Sequence, residues 1–396
     1  MKSNQDRISR KIFEKPKEKG LFEINSIALS MEEKGQNIIH LEIGEPDFDT
    51  PDSIKEAAIR DLKAGDVHYT DMKGKLELRR AISDYERRRY GLDYDPDDQI
   101  LVTAGASEAL HDIWSALLNP GDEVLMPSPF YCCYREIITF NGGKMVEVPI
   151  IDESGQVRYD MDLFEQAVTD HTKMIIINSP NNPTGHIMTE EEIREIADFA
   201  TKYDLLVVSD EVYDHFIFEG EFRTIAALPG MQERTLVVNS TSKTYAMTGW
   251  RVGFVAGPAE LVAACKLIHG NEVVCPSAFA QIGAAYAFEN EIPEVAEMGN
   301  EFQARRDYLE SVLREKGMSY VAPQGAFYVF LDIGKSGMRG ADFCEDLLRT
   351  KGVAMSPGSV FGSRWSNYVR ISYASSMQNL KDAMKLLFEY YEEKTK

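Results

Sequence analysis

The sequence predicts an α/β fold in which helices cover both faces of a mostly parallel sheet. Short apolar segments of strand length alternate with helical patterns through most of the 396-residue chain. Continuous apolar strands of this kind are typical of parallel sheets that are buried on both faces. After Pro276 the pattern changes to a long helix followed by shorter strands and helices. This change predicts a second, smaller α+β domain.

The individual elements are assigned from hydrophobic periodicity and from turn residues. In the first part we predict strands at 38–41, 100–103, 123–126, 145–149, 174–177, 205–209, 235–238 and 252–256, and helices at 53–63, 76–90, after 105–108 and at 190–202. In the second part we predict helices at 292–316, 341–351 and from Gln378, and strands at 319–321, 326–333, 352–355 and 368–373. The predicted domains are an N-terminal segment (1–45) that belongs to the small domain, a large domain (46–290) and a C-terminal small domain (291–396).

Composition limits the classes of partner. The chain has 43 basic and 64 acidic residues, a formal charge of −21, which disfavours nucleic acid or an anionic membrane surface as a partner. No segment approaches the roughly 20 apolar residues that span a bilayer, and residues 1–20 lack the apolar core of a signal peptide. The five cysteines have no metal-like clustering, so we predict no metal site and a reducing compartment. We therefore expect a soluble, cytoplasmic protein.

The most informative chemical pattern is the stretch VVNSTSKTYAMTGWRVG at 237–253. An apolar strand leads into Lys243, which hydroxyl residues flank on both sides, and Arg251 follows eight positions later. A lysine amine in a confined site can lose its proton and attack a carbonyl. Hydroxyl groups and an arginine suit a phosphate. The pattern favours an aldehyde-bearing, phosphorylated cofactor, and pyridoxal 5'-phosphate fits this description.

Two other interpretations of this lysine follow from the residues alone. A single lysine among serines also occurs in ordinary loops. The residues at 240–243 also match the S-x-x-K motif of serine acylases, which requires companion S-D-N and K-T-G motifs. Here Glu211 follows the SD at 209–210, and Tyr245 follows the KT at 243–244, so both companions are incomplete.

Polar residues occur near four other predicted strands, in the region where parallel α/β sheets bind ligands. The stretch Gly105-Ala106-Ser107 opens a helix and is either an anion site or an ordinary serine cap. Asp210 either caps the following segment or keeps a pyridinium nitrogen protonated. Asn182 lies in a turn, and its amide could also bind a ring hydroxyl or a carboxylate. Arg370 has apolar neighbours and needs either a structural ion pair or an anionic ligand.

Together these motifs resemble those of the class I/II aminotransferases, which are pyridoxal-phosphate enzymes of fold type I. The matching motifs are GEPDF at 44–48, YT at 69–70, SPNNPTG at 179–185, DEVY at 210–213, SxSK at 240–243, Arg251, PQGAFY at 323–328 and RISYA at 370–374. They cover nearly the whole chain in the order of the family. The resemblance therefore implies a large cofactor-binding domain of fold type I and a smaller α+β domain.

The resemblance also implies a role for each residue around the cofactor ring. Lys243 would hold the cofactor covalently and carry a proton between the substrate and cofactor carbons. Asp210 would bind the pyridine nitrogen. Tyr213 and Asn182 would bind the 3′ oxygen, and Tyr131 would stack on the ring.

Further roles concern the phosphate and the substrate. The residues implied to bind the phosphate are Ala106, Ser107, Ser240, Ser242 and Arg251, with Tyr69 reaching it from a neighbouring subunit. A shared site of this kind implies a homodimer. Arg370 would bind the α-carboxylate of the substrate as a bidentate fork, helped by Asn182 and the backbone of Gly44.

Departures from the family pattern concern the amino donor. One branch of aspartate aminotransferases uses an arginine for the side-chain carboxylate, but the range 252–304 contains no arginine. Another branch uses a lysine where Ser115 stands here. Leu21, Phe22 and Ile24, in the segment that covers the site in relatives, are apolar. We therefore expect an aromatic, aliphatic or broad amino donor, with a 2-oxo acid such as 2-oxoglutarate as acceptor.

Two other functions share parts of this pattern. A lyase that eliminates at the β or γ carbon would carry every motif above. A non-enzymatic regulator that binds the cofactor would need an added DNA-binding domain, whereas only about 45 residues precede Pro46 and the charge is −21. An aminotransferase acting on small-molecule amino acids and 2-oxo acids is the favoured function, with no nucleic-acid or membrane partner.

Overall fold

A computed structural model of the protein describes residues 20–151 and 155–395. The strands are β1 (Ile39–His40), β2 (Ile100–Thr103), β3 (Glu123–Ser128), β4 (Lys144–Pro149), β5 (Thr172–Asn178), β6 (Leu206–Asp210), β7 (Thr235–Ser240), β8 (Gly253–Ala256), β9 (Tyr320–Val321), β10 (Tyr328–Asp332), β11 (Val353–Ala354), β12 (Ser356–Pro357) and β13 (Tyr368–Ser372). The helices are α1 (Leu21–Glu32), α2 (Asp52–Ala64), α3 (Leu76–Tyr90), α4 (Ala106–Leu117), α5 (Cys133–Phe140), α6 (Met161–Ala167), α7 (Glu190–Lys202), α8 (Thr241–Thr244), α9 (Ala259–Glu272), α10 (Ala278–Glu289), α11 (Pro293–Glu315), α12 (Gly340–Lys351) and α13 (Met377–Lys394).

The largest sheet has seven strands in the order β2-β8-β7-β6-β5-β3-β4. Strand β8 is antiparallel to both of its neighbours, and the other neighbouring strands are parallel to each other. Every residue of β2, β3, β7 and β8 is buried. The prediction of a mostly parallel, buried sheet is confirmed. The direction of β8 was not predicted, because a short apolar strand has the same pattern in either direction.

Helices cover both faces of this sheet, because alternate side chains of each strand point to opposite sides. Ile100 and Val102 of β2 lie in one hydrophobic core with residues of α3 and α10. Leu101, between them, lies in another core with residues of α4 and α9. The helix predicted after 105–108 is confirmed as α4, and its Leu110, Ile113 and Trp114 are buried in that second core.

The C-terminal part of the chain builds a second, antiparallel sheet in the order β12-β13-β10-β9. Strand β1 pairs with β11 in a separate parallel ladder. Ile24 of α1 and Leu41 share one core with Phe302 of α11 and Phe343 of α12. Helix α11 has 23 residues and is therefore about 35 Å long. Residues 24–41 thus pack against the C-terminal part of the chain.

Six helices, α1, α5, α6, α8, α9 and α10, were not assigned from the sequence. Helix α10 (AFAQIGAAYAFE) carries small or apolar residues on most of its sides, so no single apolar stripe marks it. Helix α5 is short and rich in isoleucine and threonine, which favour strands. Among the helices of residues 20–151 and 155–395, none combines the length and the apolar character needed to cross a bilayer.

Candidate active site

A cavity of about 280 Å³ lies at the edge of the large sheet where its parallel strands end. Asn178, Asp210 and Ser240, the last residues of β5, β6 and β7, line it together with Tyr328 and Arg370 of the antiparallel sheet. Ligands of α/β sheets bind at this edge. A wider cleft of about 1060 Å³ lies beside α3, α10 and α11, but none of the predicted site residues lines it. We therefore place the candidate active site in the smaller cavity.

Lys243 lies on α8, directly after β7, and its side chain enters the cavity. Its amine donates a hydrogen bond to the carbonyl oxygen of Gly44 at 2.6 Å. Burial lowers the pKa of Lys243 to about 8; Glu45 opposes this shift, and the charges of Arg370 and Arg251 add to it. A half-buried lysine with a lowered pKa can supply the neutral amine that nucleophilic attack requires.

Asp210, the last residue of β6, is a buried carboxylate. Its Oδ2 accepts a hydrogen bond from the phenol of Tyr134, and its Oδ1 accepts one from the backbone N–H of Val212 at 3.4 Å. Burial raises the pKa of Asp210 to about 6, and the hydrogen bond from Tyr134 acts against this rise. The carboxylate is therefore available as a negative charge at neutral pH.

Tyr134 and Tyr328 are site residues that our sequence reasoning did not assign. Tyr134 lies on the unpredicted helix α5, and its ring meets that of Tyr131 edge to face at a centroid distance of 5.4 Å. The hydroxyl of Tyr328 lies 2.7 Å from that of Tyr213. A signal for Tyr328 was present, because the PQGAFY motif ends with it, but that motif suggested no role.

The start of α4 forms one wall of a cradle for an anion. Gly105 precedes the helix with a φ of 89° and no side-chain cap, so the interpretation of Ser107 as the helix cap is wrong. The first N–H groups of a helix have no intrahelical acceptor and attract negative charge. Ala106 and Ser107 line the cavity at this point, and Ser242 lies across from them on α8. This end of the cavity therefore suits a phosphate group.

Arg251 supplies the positive charge of the same cradle. Its guanidinium donates to the carbonyl oxygens of Thr248 at 2.9 Å and Ala104 at 3.1 Å. A Cβ added to Gly105 would lie 2.5 Å from its Nη2 atom, and the φ of 89° at Gly105 is one that other residues rarely adopt, so a side chain here would strain the turn and displace the guanidinium. Within residues 20–151 and 155–395, no carboxylate forms an ion pair with Arg251. Its charge is free to bind an anion.

Arg370 lines the cavity from β13 of the antiparallel sheet and is 1% exposed. Its guanidinium donates to Asn182 Oδ1 at 3.0 Å, to Ser356 Oγ at 3.1 Å and to the carbonyl oxygen of Glu42. Its Nε has no partner among the described residues, and none of their carboxylates forms an ion pair with it. Because a buried charge without a counter-ion is unfavourable, Arg370 favours an anionic ligand over a structural ion pair.

The structure brings most of the predicted site residues to one cavity. Those that line it are Gly44, Ala106, Ser107, Tyr131, Asn182, Asp210, Tyr213, Ser240, Ser242, Lys243, Arg251 and Arg370. Tyr69 is 86% exposed and does not line it. Ser115 does not line it either, and its hydroxyl donates to Asn141 at 2.8 Å. The predicted correspondence of Ser115 with a substrate-binding lysine therefore has no support from its position.

The family model of aminotransferase class I and II matches residues 36–387. The chain belongs to this family. It is thus an amino-acid aminotransferase, and pyridoxal 5'-phosphate is the cofactor on which the family depends. The residues fit that cofactor, since a half-buried amine (Lys243), a buried carboxylate (Asp210) and the guanidinium of Arg251 line one cavity.

Named relatives of this aminotransferase differ in their donor. Aromatic-amino-acid aminotransferase 2 of Thermococcus litoralis is 41% identical over 362 residues, which are 91% of this chain and 93% of that protein. The aspartate aminotransferase of Pyrococcus abyssi is 42% identical over 362 residues, with the same two coverages. Because the two identities are nearly equal, overall similarity does not identify the donor.

Solved structures confirm the fold of the aminotransferase. The aromatic aminotransferase from Pyrococcus horikoshii OT3 superposes with a TM-score of 0.87 at 42% identity, covering 92% of this chain and 99% of that one. The Thermus thermophilus aspartate aminotransferase with maleate superposes with a TM-score of 0.91 at 35% identity, covering 98% of this chain and 100% of that one. The predicted fold type is therefore confirmed.

Replacing Gly253 by alanine should weaken cofactor binding. A Cβ at Gly253 would lie 2.6 Å from the carbonyl carbon of Gly105 and 2.7 Å from the amide nitrogen of Ala106, so the anion-binding turn must shift. We expect Gly253→Ala to raise the Kd for pyridoxal phosphate at least tenfold, about 1.4 kcal/mol, in an absorbance titration. Gly249→Ala, where an added Cβ meets no atom within 4 Å, is the matched control. Equal affinities for the two variants would contradict the close approach.

The apo aminotransferase should capture pyridoxal phosphate faster as the pH rises to 8, and no faster above it. Attack on the cofactor aldehyde requires a neutral amine, and burial lowers the pKa of Lys243, the amine in this cavity, to about 8. The rate should rise about tenfold per pH unit below pH 8 and then level off. With an ordinary lysine, whose pKa is about 10.4, the rate would continue to rise above pH 8. Stopped-flow absorbance measures this rate. A rate still rising at pH 9.5 would show that Lys243 is not perturbed.

Proposed function

We propose that this aminotransferase uses an aromatic or aliphatic amino acid, or a broad set of them, as donor. The supporting observation is the charge of the cavity. Its described lining residues include three cationic side chains, Lys243, Arg251 and Arg370. We assign all three to groups that every substrate or the cofactor presents. No cationic lining residue is then left for the side-chain carboxylate of aspartate.

Apolar residues line the same cavity and suit an apolar donor side chain. Leu21 and Phe22, at the start of α1, line it together with Ile43 and Leu110. Phe22 is 65% exposed in this state. Burying a hydrophobic side chain against such residues stabilises the complex by about 1.5–3 kcal/mol. An aspartate side chain would lose hydration here without gaining a partner.

Lys243 and Asp210 have the central roles in the proposed chemistry. Bound pyridoxal phosphate withdraws electrons from the substrate Cα, so that its hydrogen can leave as a proton. We assign the covalent attachment to Lys243, which the substrate amine would displace; the amine of Lys243 freed in this way would then accept this proton and deliver it to the cofactor carbon. Asp210, held by Tyr134, supplies the negative charge that keeps the pyridine nitrogen protonated. Tyr213 and Asn182 donate hydrogen bonds to the 3′ oxygen.

The remaining residues are assigned to the two ends of the cavity. Those assigned to bind the phosphate are Ala106, Ser107, Ser240, Ser242 and Arg251. At the other end Arg370 holds the α-carboxylate, with help from Asn182 and the backbone of Gly44. Tyr131 stacks on the cofactor ring. These assignments are supported by the cationic charge at both ends of the cavity and by the buried carboxylate between them.

A homodimer with shared active sites is also proposed, in which Tyr69 reaches the phosphate of the partner subunit. Thr70 donates a backbone hydrogen bond to Cys275 Sγ at 3.4 Å, which places this segment beside α9 and α10. Exposed apolar side chains accompany it: Val67, Met72, Leu267 and Phe279. Contiguous exposed apolar residues mark association surfaces. Light scattering should give twice the chain mass of 44.7 kDa, and the monomer mass would exclude the shared site.

We also propose a division into two domains and a cytoplasmic location. We place the cofactor-binding domain at 46–290 and the small domain at 291–396, and we assign the segment 1–45 to the small domain. Residues 1–19 of that segment lie outside the described residues. The pairing of β1 with β11 supports this grouping. All five cysteines are free thiols, as is usual in the reducing cytoplasm.

A half-reaction screen tests the reaction and the donor together. The loaded enzyme is mixed with one amino acid at a time, and the cofactor spectrum, keto acid and ammonia are measured. We expect keto acid and the amine form of the cofactor, with kcat/KM higher for phenylalanine and leucine than for aspartate. A tenfold preference for aspartate, about 1.4 kcal/mol, would overturn the donor assignment. Ammonia and pyruvate without the amine form would indicate a lyase.

The substitution Arg370→Lys should weaken all donors to a similar extent. An ammonium cannot reproduce the two-pronged contact of a guanidinium with a carboxylate. We expect kcat/KM to fall about a hundredfold, about 2.7 kcal/mol, for phenylalanine, leucine and aspartate alike. Arg349→Lys, on the exposed side of α12 beside Glu345, is the matched control and should keep wild-type activity. A loss confined to aspartate would show that Arg370 reads the side chain instead.

A further inference from the structure

A second group of ionisable side chains lies between α4 and α9, outside the active-site cavity. Glu108 and Asp112 are one turn apart on α4, and His269 faces them from α9. His269 Nδ1 lies 2.8 Å from Glu108 Oε1 and 4.0 Å from Asp112 Oδ2. One nitrogen or oxygen atom from each of the three residues lies within 4.8 Å of the other two. The aminotransferase reaction, as assigned above, uses none of these groups.

Asp112 is the member of this group that indicates a missing ligand. Its side chain is fully buried, and neither carboxylate oxygen has a hydrogen-bond partner among the described residues. No lysine or arginine of the described residues forms an ion pair with Asp112 or Glu108, and His269 is their common neighbour. Burying a carboxylate without partners is unfavourable. A bound cation would remove that cost.

Two partly exposed residues lie beside this group. His111 and Glu272, on the same two helices, each place a ligand atom within 4.8 Å of Asp112. Nδ1 of His111 lies 3.1 Å from Oε2 of Glu272, and their side chains are 35% and 43% exposed. Asp112 therefore has ligand atoms of both buried and partly exposed residues within 4.8 Å.

We propose that Glu108, Asp112 and His269 bind one divalent transition-metal ion, of the Zn²⁺ or Mn²⁺ class. One imidazole nitrogen with two carboxylate oxygens is a ligand set for such ions, whereas Ca²⁺ and Mg²⁺ prefer oxygen ligands alone. Ligand atoms about 2.1 Å from a metal lie roughly 3.0 to 3.4 Å apart in octahedral or tetrahedral sites. The observed separations of 2.8 and 4.0 Å bracket this range, so small side-chain movements complete the site.

The metal would act on the cofactor cradle through Glu108. While Oε1 of Glu108 faces the metal position, its Oε2 accepts a hydrogen bond from the backbone N–H of Ala104. Ala104 immediately precedes Gly105, and its carbonyl oxygen accepts from Arg251 at 3.1 Å. A metal ion that fixes Glu108 therefore also fixes the turn before α4. Its role is structural, and it takes no part in the transfer of the amino group.

Sequence spacing does not reveal this group, because its ligands come from two helices that are far apart along the chain. Glu108 and Asp112 show only the i, i+4 spacing that is common on solvated helices. His269 lies on α9, which was not predicted as a helix. The negative prediction for metals rested on the cysteines alone.

Metal titration of the holoenzyme tests the proposal directly. The holoenzyme is dialysed against EDTA, then against metal-free buffer, and titrated with Zn²⁺ and separately with Mn²⁺ by calorimetry. We expect one equivalent of metal ion per chain, which remains bound through gel filtration and is measured by inductively coupled plasma mass spectrometry. A metal concentration one hundred times the Kd should raise Tm by about 3 °C. If wild-type protein retains less than 0.1 equivalent of Zn²⁺ and also less than 0.1 equivalent of Mn²⁺, the proposal is overturned.

Three variants separate this site from adventitious binding. Asp112→Asn keeps the side-chain shape but removes a charged ligand, so the metal affinity should fall at least tenfold and the metal-induced rise in Tm should disappear. His269→Gln should give the same result if Asp112→Asn does not fold. Asp198→Asn, an exposed aspartate on α7, is the matched control and should bind metal as wild type does. Wild-type stoichiometry in both Asp112→Asn and His269→Gln would overturn the assignment.

Discussion

The burial of the Lys243 amine in a cavity that also holds Asp210 and Arg370 is the constraint on which the rest of the structure depends. Charged groups are unfavourable in such a place unless each has a partner. Lys243 meets this constraint by a lowered pKa and a hydrogen bond to a carbonyl oxygen. Arg370 meets it only in part, through neutral acceptors. The site is therefore prepared for an anionic cofactor and substrate at the expense of the stability of the empty protein.

Sheet geometry sets the positions of these groups. Strands β6 and β7 are parallel, with Asp210 opposite Val238, so the carboxylate and the lysine that follows β7 come from neighbouring strand ends. The antiparallel sheet supplies Arg370 on β13, opposite Phe330 of the neighbouring β10. The ring of Tyr328, on that same strand, lies 4.5 Å from the Arg370 guanidinium carbon. Two separately built sheets thus converge on one cavity, and a change in their relative position would separate the two ends of the site.

The site residues at the ends of strands could be predicted from the sequence, whereas features that depend on long-range contacts could not. Lys243, Asp210 and Gly105 follow buried strands, and the rule that ligands bind at strand ends is enough to bring them together. Tyr134 could not be predicted, because it lies on a short helix whose residues favour a strand. The direction of β8 and the exposure of Tyr69 depend on long-range contacts, which periodicity does not encode. The metal-ligating group was missed for the same reason.

The central claim is that one lysine, Lys243, carries the cofactor. Reducing the native holoenzyme with borohydride converts the lysine–cofactor link into a stable secondary amine, and peptide mass spectrometry then locates it. We predict a single modified peptide that contains Lys243, and no modification at that mass in a folded Lys243→Ala variant. Modification of any other lysine in the native enzyme, at comparable yield, would contradict the account.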